Sequence, residues 1–167
     1  MKDYKFIIAF VVLTAVQIVL CNFLNLSRFM VLSFLPALVL MLPLRMGDVP
    51  MMIAGFVLGF LVDFFSTGML GLTSFAIVPV ALARNFTVDI LFGDELGTRE
   101  GELSLSRFGI PKFALATFIL CVIYFLLYVW VDSAGTVKFW SGAVRFLLSV
   151  IVSTPVCLVV SRILRPE

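Results

Sequence analysis

Within one apolar stretch, Gly55-Phe-Val-Leu-Gly59-Phe-Leu-Val-Asp63, two glycines and a carboxylate recur every fourth residue. On an α-helix, at 3.6 residues per turn, the three fall along a single stripe. Glycine lowers helix propensity and buries no side chain, and a carboxylate is costly in hydrocarbon. A helix that carries both on one stripe turns that stripe towards another helix and away from lipid. The contact is either packing within the chain or assembly with a second membrane protein. The stripe, continued by Gly68 and Gly71 after a short turn, is therefore the candidate interaction and packing site.

The setting for that stripe is a membrane. Of the 167 residues, 62% are hydrophobic and 13% charged, whereas a typical soluble domain carries about 25% charged residues. Too little polar surface remains to cover a water-soluble globule, and the length suits one domain, residues 1–167. A helix crosses the hydrocarbon core with ~20 apolar residues. Six stretches are candidates: 5–24, 29–45, 49–65, 69–91, 111–131 and 141–163. The expected fold is all-α, an integral membrane bundle of six transmembrane helices. The second stretch is short and holds Pro36 and Pro43, so it is kinked, tilted or re-entrant. The first is longer than a signal-peptide core and no Ala-x-Ala site follows it, so it is read as an uncleaved span.

Lys and Arg favour the cytoplasmic side of a membrane. With the N-terminus inside, that side holds Lys2, Lys5, Arg45, Arg99, Arg107, Lys112, Arg162 and Arg165. The other side holds at most Arg28, Lys138 and Arg145, a ratio of eight to three. Both termini are thus expected in the cytoplasm. The polar stretch 93–110 falls on the same side, as a solvated connector or a docking site for a cytoplasmic partner. Tyr128, Trp130 and Trp140 flank the outer loop before the last span, where amphipathic rings prefer the interface.

The residues that carry most chemistry are missing. There is no histidine, the commonest general base and metal ligand. Phosphate-cradling, nucleophile-elbow and zinc-protease motifs are absent. Cys21, Cys121 and Cys157 have no CxxC spacing and are read as small packing residues. No basic cluster is interleaved with aromatics, which disfavours nucleic acid. Asp63 and Asp89 lie near opposite membrane faces, ~25 Å or more apart by helical rise, and cannot form an acid–base pair. No catalytic, cofactor-binding or metal site is expected.

The charged residues inside spans then need partners. Asp63, near the end of the third span, accepts hydrogen bonds from exposed amides at the start of the fourth, reaches the interface, or makes a buried contact with Arg145 or a partner subunit. Arg84, inside the fourth span, either snorkels to the inner face or pairs with Asp89 or Asp48.

The central pattern runs from Pro36 through Gly55, Gly59 and Asp63 to Gly68-Met-Leu-Gly71-Leu. With the basic N-terminus and the six-span hydropathy, it resembles the rod shape-determining protein MreD family. The remainder of the chain matches by hydropathy alone. The resemblance implies a non-enzymatic component of the bacterial cell-wall elongation complex in the cytoplasmic (inner) membrane, acting in cell shape and the control of peptidoglycan synthesis. It implies MreC, RodA, the elongation-specific transpeptidase and the MreB filament as partners, beside membrane lipid. It also implies a fold similar to the substrate-capturing subunits of energy-coupling-factor vitamin transporters, so that such a subunit is the alternative function. Two departures weigh against the alternative. Ala9 is followed four residues on by Leu13, so the small-x-x-x-small coupling pattern of those subunits is not evident in the first span. The outer loops are also short and offer few groups to hold a polar vitamin.

Overall fold

The computed structural model describes residues 2–23, 31–42, 47–66, 70–96, 109–132 and 139–164. The regular structure among them is all helical: α1 (Lys2–Phe23), α2 (Leu35–Leu40), α3 (Asp48–Ser66), α4 (Leu72–Leu96), α5 (Ile110–Asp132) and α6 (Phe139–Leu164). An apolar segment in hydrocarbon must satisfy its backbone internally, which a helix does and an isolated strand does not. Four helices, α3 to α6, are long and apolar enough to cross a membrane, and α1 adds the apolar stretch Ile7–Asn22. The chain is a multi-pass helical membrane protein.

Five helices form a closed ring. α3 packs on α4, α4 on α5 and α5 on α6, and α1 closes the circle against both α3 and α6. The short α2 sits in the middle, touching α1, α4, α5 and α6. Every residue from Phe34 to Leu42 is buried. A helix that is apolar all round belongs in the interior, and Leu-Pro-Ala-Leu-Val-Leu fits that description.

The second span, expected over 29–45, does not form as a continuous helix among the described residues. Only Leu35–Leu40 is helical, a rise of ~9 Å, far short of the hydrocarbon core. Pro36 lies in the first turn of α2, where its missing N–H costs nothing, and so marks where the helix can begin. Residues 31–34 ahead of it are not helical.

The other boundaries move by a few residues, except in α4. That helix runs to Leu96, beyond the expected end at 91 and into the stretch read as a loop from 93. Residues 97–108 of that loop lie outside the described residues. Pro79 and Pro155 fall inside α4 and α6, which continue past them.

Candidate functional site

The Gly55–Gly59–Asp63 stripe faces α4 of the same chain. A Cβ placed on Gly59 would lie 2.6 Å from Cα and 2.8 Å from the backbone nitrogen of Ser74. Only a residue with no side chain lets the two backbones meet so closely. One turn away, a Cβ on Gly55 would lie 3.0 Å from Cβ of Ala81. Steps of four along α3 thus meet Ser74, then Ile77 and Ala81 along α4, as antiparallel helices in register require.

Asp63 completes the seam at the hairpin end. Its side chain is fully buried. One carboxylate oxygen accepts the N–H of Thr73 at 3.0 Å. The other accepts the N–H of Gly71 and of Ser74, both at 3.0 Å, and the Ser74 hydroxyl at 3.1 Å. The first N–H groups of a helix have no intrahelical acceptor, and the helix N-terminus carries partial positive charge. Asp63 supplies both the acceptors and the countercharge for α4, reaching across from the preceding helix. Gly71 has φ +100°, a backbone region that glycine enters without strain, and this turns its N–H towards the carboxylate.

The reading of Asp63 as a partner of Arg145 is therefore corrected. Arg145 instead forms an ion pair with Asp132 between α6 and α5. Trp130 of α5 and Trp140 of α6 are both exposed. Gly68 lies outside the described residues. The reading of the glycine stripe as a partner-facing surface gives way to the internal one at Gly55 and Gly59, whose missing side chains are filled by α4.

A second polar seam surrounds α2, and most of it was not anticipated. The non-helical backbone ahead of the helix is held by side chains from α1 and α6. The N–H of Val31 donates to the Ser149 hydroxyl at 3.0 Å, and that of Ser33 to the Ser153 hydroxyl at 3.3 Å. The N–H of Phe34 donates to Oε1 of Gln17 at 3.1 Å, while Nε2 of Gln17 reaches the Leu32 carbonyl at 3.5 Å. The Cys157 thiol lies 3.8 Å from the Ser33 carbonyl.

The match between α6 and this segment is geometric. Residues four apart on a helix share one face, ~6 Å apart along the axis. Ser149 and Ser153 on that face thus answer the alternate N–H groups of Val31 and Ser33. The signal was present in the sequence as Ser149, Ser153, Cys157 and Ser161 at intervals of four.

The far end of α2 is held by Arg84 of α4. Its side chain is fully buried, so it does not snorkel. Nη2 donates to the Leu42 carbonyl and, at 3.3 Å, to the Leu40 carbonyl. The last carbonyls of a helix lack intrahelical donors and carry partial negative charge, so a guanidinium there both caps and neutralises. Nη1 donates to Oδ1 of Asn85 at 2.9 Å, and Nδ2 of Asn85 donates to Asp48 at 2.6 Å. Asp48 is thus linked to Arg84 through an intervening amide. Asp89 is exposed on α4.

Cys121 and Cys157 are buried with their sulfurs 3.7 Å apart, and both are free thiols. Among the described residues no group of three or more His, Cys, Asp or Glu is placed to hold a metal. The outward faces are apolar. Phe56, Phe60 and Phe64 form an exposed ladder along α3, with successive ring centroids 6.1 and 6.3 Å apart. Comparison with protein-family models, with curated proteins and with solved structures found no match for this chain.

Proposed function

We propose that the chain is a non-enzymatic membrane scaffold of the bacterial cell-wall elongation complex, acting in cell shape and peptidoglycan synthesis. The reading rests on the resemblance of its central pattern to the MreD family. The structural observation that favours it over the transporter alternative is the bonding of the 31–34 segment. In transporters, unwound backbone at membrane depth is used to hold substrates or coupling ions. Here the N–H groups of Val31, Ser33 and Phe34 are committed to Ser149, Ser153 and Gln17 of the same chain. A bundle that fills its own centre offers its outer faces, and a scaffold works through those.

In this reading the protein sits in the cytoplasmic membrane with both termini in the cytoplasm. MreC, RodA, the elongation-specific transpeptidase and the MreB filament are its proposed partners. Purification in mild detergent followed by mass spectrometry tests the assignment. Recovery of those wall-elongation proteins is the expected result. Recovery of an ATPase pair with a transmembrane coupling subunit would favour the substrate-capturing alternative. Purified protein that alone transports or hydrolyses a wall precursor would overturn the scaffold reading. For topology, Lys138→Cys should label from outside the cell and Arg99→Cys only after the cytoplasm is opened.

A further inference from the structure

We draw no further inference here: the strongest candidate, the exposed Phe56–Phe60–Phe64 ladder on the outer face of α3, carries nothing because no feature of the structure shows what covers it, and lipid chains fill such a face as readily as a partner helix.

Discussion

The α3–α4 hairpin and the α2 segment each bury a charged side chain completely, but they differ in how far along the chain the bonding groups lie. Asp63 binds groups eight to eleven residues away, at the start of the very next helix. Arg84 reaches back more than forty residues to the carbonyls of Leu40 and Leu42, and the N–H groups of Val31 and Ser33 reach hydroxyls about 120 residues away. In both places the charge acts as a helix cap. Asp63 caps the N-terminus of α4, and Arg84 caps the C-terminus of α2. Two ions of opposite sign thus meet the two opposite ends of helix dipoles, with no direct ion pair between them. The hairpin shows the first turn of a helix satisfied by a single carboxylate from the helix before it. The α2 segment shows how much long-range bonding an interrupted helix demands once water is excluded.

Substitutions separate the two regions, and the largest effect is expected at the hairpin. Gly59→Leu forces a branched side chain into the backbone of Ser74. Overpacking in a core costs ~1–3 kcal/mol where neighbours can shift, and here the obstacle is main chain. The variant should fail to accumulate in the membrane. Normal abundance with loss of partner recovery would place the stripe on an assembly surface after all. Arg84→Met comes next. It leaves the Leu40 and Leu42 carbonyls without this donor, and each orphaned buried group costs ~1–3 kcal/mol. Arg84→Lys should recover part of the loss, because an ammonium can serve one carbonyl but lacks the planar fork. Thermal unfolding in detergent measures both, and equal stability of the Met variant and the parent would show that Arg84 does not hold α2.

Smaller shifts are expected where one hydrogen bond is lost. Asp63→Asn keeps one oxygen but turns an N–H₂ towards N–H donors, and should cost about 1–2 kcal/mol, the size of a lost N-cap. A variant as stable as the parent would show that the second carboxylate oxygen contributes nothing to the cap. Ser153→Ala leaves the Ser33 N–H unanswered and should cost ~1 kcal/mol. Amide hydrogen exchange at Ser33 should then rise while that at Thr73 and Ser74 stays unchanged. Equal change at both places would mean that the two regions unfold as one unit.

The same contrast explains what could be read in advance. The stripe was legible because its parts are four residues apart on one helix and its partner helix follows directly. Capping of α4 by Asp63 was one of two readings for the same reason. The α2 stretch was left between a crossing helix and a re-entrant segment because apolar length alone cannot distinguish a crossing helix from a short helix buried on every side. The Pro36 signal was visible, but the donors and acceptors that allow an interruption there come from α1, α4 and α6. The serine ladder of α6 was the one sequence clue to them, and it gains meaning only when a non-helical segment lies beside it. Arg145 stood as one alternative partner of Asp63 because nothing in the sequence places it nearer to Asp132 than to Asp63. The proposed cell-wall role rests on the central pattern and not on the fold.

The closest test of the hairpin seam is a size swap across it. Gly55→Ala places a methyl group 3.0 Å from Cβ of Ala81, and Ala81→Gly removes the group it meets. Singly, the first sets crowding against ~1 kcal/mol of gained helix propensity, and the second loses ~1 kcal/mol of propensity. Together they should be more stable than the sum of the single effects predicts, by ~0.5–3 kcal/mol, the range of coupling between residues in contact. Unfolding measured for the parent, both single variants and the double variant gives that coupling. A favourable coupling places the glycine stripe of α3 against α4. Strict additivity would contradict it.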